Sequence, residues 1–164
     1  MKRAGLVCVL VLSAACPIAA QASGVGLGVS LGAAFPTSVP VDITGADAGA
    51  SFNWGFYVNI PLIYSFHLTP SSELYKFGTE NVTDFDIAFK FIVPLESFNI
   101  YAGFSPGLTA ASNQLAVHVG VVGGGAIRLV SNLDAFLQVK YVWLFLPSGN
   151  NGVVHANAGI ILNL

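Results

Sequence analysis

Asn157-Ala158-Gly159-Ile160-Ile161-Leu162-Asn163-Leu164 closes the chain. Ala158, Ile160, Leu162 and Leu164 fall on one face of an extended strand, and Asn157, Gly159 and Asn163 on the other. A period of two is the mark of a strand whose faces meet unlike surroundings. The alternation begins near His155 and runs to the last residue, so the chain is expected to end inside its final strand. That suits a closed barrel, in which the last strand pairs with the first and no row of backbone donors and acceptors is left bare.

The same alternation recurs along the chain in segments of about ten residues, the length of a tilted strand that crosses a bilayer. A first strand over 24 to 35 sets Val25, Leu27, Val29, Leu31, Ala33 and Phe35 against Gly26, Gly28, Ser30, Gly32 and Ala34. A second over 50 to 60 sets Phe52, Trp54, Phe56, Val58 and Ile60 against Ser51, Asn53, Gly55, Tyr57 and Asn59. Pro61 reads as a tight turn, because proline cannot donate to a ladder. A third, over 62 to 69, places Ser65, His67 and Thr69 on its polar side. The fourth, over 84 to 93, alternates most cleanly: Phe85, Ile87, Phe89, Phe91 and Val93 oppose Asp84, Asp86, Ala88, Lys90 and Ile92. Strands over 98 to 108, 114 to 128, 133 to 146 and 153 to 164 complete eight. Among these, Arg128 and His118 lie on the polar side of the sixth, Gln138 and Lys140 on that of the seventh, and His155 on that of the eighth.

The connections predicted near 59–62, 94–97 and 129–132 are short. Those at 36–49 and 70–82 are long and polar, and those at 109–113 and 147–152 are intermediate. Short turns on one side and longer loops on the other suit an up-and-down barrel, with both termini at the short side. Outward rings divide into two girdles. Phe35, Phe52, Trp54, Phe66, Phe85, Trp143 and Phe145 are expected near the loop ends, and Tyr64, Phe91 and Phe98 near the turn ends.

The first 22 residues read as a secretory signal peptide: basic Lys2 and Arg3, an apolar run over 6 to 15, and the small-x-small site Ala20-Gln21-Ala22. A lipoprotein cleavage before Cys16 is the alternative; Ser13 stands where leucine is usual. The remainder, 23 to 164, is one domain. Hydrophobic residues make up 54% of the chain and charged residues 9%, too apolar for an ordinary soluble surface. Past the leader no apolar run is long enough for a spanning helix. A soluble lipocalin-like barrel would turn the Phe/Trp/Val faces inward and the polar faces to water. The polar faces are mostly Gly, Ser, Asn and Ala, which suits a crowded lumen better. Both cysteines, Cys8 and Cys16, lie in the leader, so no disulfide framework or thiolate chemistry is expected. Without Lys2 and Arg3 four basic residues face eight acidic ones, which gives no basic patch for nucleic acid.

With these faces assigned, Asn157, Gly159, Leu162 and Leu164 resemble the terminal signal that outer-membrane barrels present to their assembly machinery, with Leu164 where an aromatic is usual. The chain from 24 to 164 is similar to the small eight-stranded outer-membrane barrels, the OmpW/OmpA-like group. The resemblance rests on strand pattern, the terminal segment and stretches such as Leu129-Val130-Ser131-Asn132-Leu133-Asp134. It implies export to the bacterial outer membrane, with membrane lipid and the assembly machinery as partners. It also implies a porin-like or OmpW-like conduit for small, apolar solutes, with a lateral exit because a charged lumen would block apolar passage. The alternative is a structural or adhesive protein working through its loops at 36–49 and 70–82.

Asp84, Asp86, Lys90, Arg128 and Lys140 are expected to form a charge cluster in the lumen, since a charge in a narrow barrel is costly unless paired or wet. Asp86 and Lys90 share a strand face, and Lys140 and Arg128 approach from elsewhere. His67, His118 and His155 face inward and are placed toward the loop end. Imidazoles with carboxylates can ligate a metal, but these strands are not neighbours, so no metal site and no cofactor are expected. Ser65 and His67 share a strand face without a nucleophile elbow, and no enzyme activity is expected.

Overall fold

The computed structural model describes residues 24–37, 49–63, 65–111, 114–146 and 149–164. The expected leader with Cys16, most of the 36–49 connection and Tyr64 lie outside them. Eight strands follow one another: β1 (Gly26–Pro36), β2 (Ser51–Ile63), β3 (Phe66–Phe77), β4 (Glu80–Pro94), β5 (Phe98–Ala111), β6 (Gln114–Val130), β7 (Leu133–Leu146) and β8 (Gly149–Asn163). Each pairs antiparallel with the next, and β8 closes on β1 from Gly26–Asn163 to Pro36–Val153. The terminal segment thus supplies the closing edge, with Leu162 opposite both Leu27 and Leu133.

Alternation decides which way each side chain points. Leu27, Leu31, Phe52, Phe56, Phe85, Phe89, Phe104, Val121, Leu137, Val139 and Ile160 are exposed on the outer wall. Ser30, Asn53, Glu73, Asp84, Asp86, Lys90, Ser105, His118, Lys140, His155 and Asn157 are buried within. Such an apolar exterior around a polar interior is stable only with hydrocarbon outside, where a closed barrel satisfies every strand edge. Rings gather at both rims. Trp54 meets Phe56 and Tyr141 meets Trp143 edge-on toward the loop end, and Phe66 meets Phe91 at 5.1 Å toward the turn end.

Three expectations are corrected. First, the stretch 70–82 is not a loop. β3 runs on to Phe77 and turns into β4 through Gly78 and Thr79, with Gly78 at φ 56°, a conformation glycine adopts without strain. Pro70, Ser71 and Ser72 look like turn residues, yet Ser71, Glu73, Tyr75 and Phe77 simply continue the inward face of His67 and Thr69. Second, Pro61 is not a turn residue. It sits within β2 opposite His67, beside a register shift, and β2 runs on to Ile63 before β3 begins at Phe66. Third, these shifts move Phe66 and His67 to the turn end, not the loop end. The loop-end connections at 78–79, 112–113 and 147–148 have two residues each, so only 37–50 is long.

The wall assignment has a direct consequence. Val139→Arg, on the lipid face, is expected to cost roughly 2–4 kcal/mol of folding stability in lipid. Asn59→Arg, at the half-buried turn-end mouth, should be milder. Reversible unfolding in bilayers measures both, and equal costs would mean the faces are inverted.

Candidate functional site

Inward side chains from all eight strands meet in one layer across the lumen. An eight-stranded barrel has room for side chains and little else, so each polar atom there must find a partner on another strand. Lys140 of β7 stands at the centre. Its Nζ lies 2.5 Å from Asp86 Oδ2 of β4 and 3.0 Å from Glu73 Oε2 of β3. Glu73 Oε1 accepts from the Tyr57 hydroxyl of β2 at 2.6 Å and from Asn157 Nδ2 of β8 at 3.2 Å. Ser30 of β1 joins through the same Tyr57 oxygen at 3.1 Å.

Two histidines extend the layer. His155 of β8 places Nδ1 3.1 Å from Glu73 Oε2 and Nε2 3.4 Å from Asp84 Oδ2, with its ring edge-on to Tyr75 at 4.9 Å. His118 of β6 places Nε2 2.7 Å from Asp86 Oδ1 and Nδ1 2.7 Å from Thr109 Oγ1. Thr109 of β5 donates to Asp84 Oδ1 at 2.6 Å, and Ser105 donates to Asp86 Oδ1 at 2.8 Å. Glu73, Asp84, His118 and His155 are inaccessible to solvent.

On the loop side an apolar cluster of Ala34, Phe77, Val82, Ala111, Val142, Leu144 and Val153 covers the layer, together with the ring of Tyr75. On the turn side, Lys90 Nζ donates to Gln138 Oε1 at 2.9 Å and stands 4.7 Å over the Tyr101 ring. Phe136 meets Tyr57 edge-on below the layer. Its ring fills the space over Gly159, where an added Cβ would come within 2.6 Å of it. The glycine of the terminal segment therefore seats a luminal ring as well as closing the barrel.

The structure brings Asp84, Asp86, Lys140, His118 and His155 together and separates the other predicted residues from them. Lys90 does not pair with Asp86: Lys140 holds that carboxylate, and among the described residues Lys90 forms no salt bridge. Arg128 is corrected more strongly. It lies at the turn-end rim, 44% exposed, paired with Asp134 and donating to the Ser131 carbonyl. His67 is also at the turn end, half-buried beside Asn59 Oδ1 at 3.2 Å. Glu73 is the residue that the sequence reading missed, lost with the supposed loop. Carrying the alternation past Pro70 would have found it.

Hydroxyl, imidazole and carboxylate stand in series at Thr109, His118 and Asp86, an order that can activate a nucleophile. Here the Thr109 oxygen is turned toward Asp84 and His118 and buried, so the series ties strands together. Among the described residues no group of His, Asp and Glu is arranged to hold a metal ion, and the ammonium of Lys140 occupies the space between the carboxylates.

The sequence matches no family model and no curated protein. Solved structures share the architecture. Neisserial surface protein A is similar over 87% of this chain and 98% of its own, with a TM-score of 0.72 and 14% identity. The N-terminal barrel domain of Pseudomonas aeruginosa OprF covers 88% of this chain and 100% of its own, at TM-score 0.58 and 15% identity. The outer-membrane enzyme PagL covers 85% and 99%, at 0.55 and 12%. The chain thus has the fold of the small eight-stranded outer-membrane barrels. That fold carries an enzyme beside the other two proteins, so it does not decide activity.

Removing one partner from a buried ion pair is far costlier than removing an exposed one. Lys140→Met should destabilise the barrel by about 3–5 kcal/mol, because it leaves Glu73 and Asp86 short of a cation. Arg128→Ala should cost about 1 kcal/mol or less. Urea unfolding in bilayers ranks them, and comparable losses would remove Lys140 from its central place.

Proposed function

We propose that this outer-membrane barrel takes small apolar molecules into its loop-end mouth and passes no ions along its axis. The observation that carries this reading is the charge layer that fills the lumen; above it lies only a shallow apolar recess, lined by Phe77, Val82, Thr109, Ala111, Gln114, Ala116, Leu144 and Leu146, which would have to widen to take a guest. Concave apolar linings are where small molecules bind. The one hydroxyl in its floor, Thr109, is already engaged by Asp84 and His118. Among the described residues no charged group lines the recess, so the favoured guest is a hydrocarbon or aromatic without a charged head.

The layer beneath supports a closed axis. An ion would have to part Lys140 from its two carboxylates, and an apolar guest would have to strand buried charges, which costs several kcal/mol. The conduit is therefore not axial. The alternative reading, an adhesive surface, loses one of its two loops, because 70–82 is a tight hairpin and leaves only the 37–50 connection.

Two measurements on reconstituted protein test the proposal. N-phenyl-1-naphthylamine should bind saturably, and Ala116→Phe, which fills the cavity, should reduce its affinity at least tenfold while heat-modifiable migration stays normal. Planar bilayers should show no single-channel steps. Steady ion currents would overturn the closed axis, and unchanged binding in Ala116→Phe would overturn the cavity.

A further inference from the structure

We infer that the outer face of β3 is a binding groove for a phosphate-headed lipid of the leaflet at the loop end. The groove lies outside the barrel and does not depend on what the recess holds. Its floor is the outward row of β3, Leu68, Pro70, Ser72 and Leu74, all half-buried. The strands on either side carry larger outward residues. Ser72 lies directly between Phe56 of β2 and Phe85 of β4, and Leu74 pairs with Trp54. Pro70 and Leu68 are flanked on β4 by Ile87 and Phe89. Trp54, Phe56, Phe85, Ile87 and Phe89 are all exposed. Two ridges of mostly aromatic side chains thus stand over a furrow of smaller ones. The ridges are two strand spacings apart, about 10 Å. A furrow this narrow admits a single hydrocarbon chain rather than the wall of another barrel.

The furrow has one polar end. The row continues past Leu74 to Lys76, which is exposed. Lys76 pairs with Asn81, and Leu74 with Thr83. Residues paired across strands share a face, so an ammonium, an amide and a hydroxyl stand together on the outer wall at the head of the furrow. Glu80 pairs with buried Phe77, on the luminal face. Among the described residues Lys76 forms no ion pair. Beyond Arg3 the basic residues are Lys76, Lys90, Arg128 and Lys140. Lys90 and Lys140 are buried and Arg128 is at the turn-end rim, so Lys76 is the cation at the loop-end headgroup level. An ammonium with two neutral donors beside it suits a phosphate. The depth also fits a lipid. From Leu68 to Leu74 the strand runs about 20 Å. At the tilt of a membrane strand this descends about 14 Å, close to half of a hydrocarbon core about 30 Å thick. Head and chain of one lipid are thus matched by the two parts of one groove. Ser72 keeps the furrow open midway, where a larger residue between Phe56 and Phe85 would fill it.

The two tryptophans test this, because Trp54 borders the groove and Trp143 is on β7, away from it. The full chain is reconstituted in dioleoylphosphatidylcholine bilayers, and lipid contact is read as quenching by brominated lipid. Trp143→Phe leaves Trp54 as reporter, and Trp54→Phe leaves Trp143. Brominated phosphatidic acid should be preferred over brominated phosphatidylcholine at least threefold at Trp54, with no preference at Trp143. In the Trp54 reporter, Lys76→Gln should abolish the preference and Lys76→Arg should keep it. Ser72→Phe, with Lys76 intact, should also abolish it, and heat-modifiable migration shows that each variant is folded. No preference at Trp54, or an equal preference at both tryptophans, would overturn the site. A preference kept in Lys76→Gln would overturn the phosphate contact, and one kept in Ser72→Phe would overturn the groove.

Discussion

A carboxylate buried in a barrel of eight strands must be met by a group from another strand, and that requirement organises the interior. Glu73, Asp84 and Asp86 have no solvent to fall back on, and an isolated buried charge is among the costliest things a protein can contain. Lys140, His118 and His155 answer them, and hydroxyls and an amide from Tyr57, Ser105, Thr109 and Asn157 donate to the same carboxylates, with Ser30 donating in turn to Tyr57. Because these groups come from all eight strands, the layer forms only when the barrel is closed in register. A slip of one residue would turn each of them to the lipid. The interior therefore checks what the backbone ladder builds.

The wall was legible because its signal is local. Alternation in β4, or in Leu137, Val139, Tyr141, Trp143 and Phe145 of β7, needs only neighbouring residues to be read, and lipid on one side keeps it clean. The end of β3 was hidden because Pro70-Ser71-Ser72 has the composition of a turn while its geometry is that of a strand. That single misreading removed Glu73 and put His67 at the wrong end. Alternation tells which face a residue is on but not how deep it lies. Arg128 and Lys140 share an inward face, yet Lys140 reaches the centre and Arg128 only the rim, where Asp134 meets it. Depth follows from register, and register follows from turns of two or three residues that composition places only loosely.

Wall and lumen divide the work. The ladder is continuous where β8 closes on β1 and interrupted at Pro70 and Pro106, on either side of the hairpin that carries the carboxylates. Where backbone bonding is thinnest, luminal side-chain bonding is densest. The apolar cluster above the layer keeps water from it and forms the loop-end mouth. The filling of the lumen follows from the buried network, and the interruptions of the ladder follow from the two prolines.

That network is tested most directly by a double-mutant cycle on Glu73→Gln and Lys140→Met, read as unfolding free energy in bilayers. Coupling of about 2 kcal/mol or more between the two sites is predicted, since each change strands the other's charge. Coupling near zero would mean that the pair is not joined inside the folded barrel, and would contradict the account.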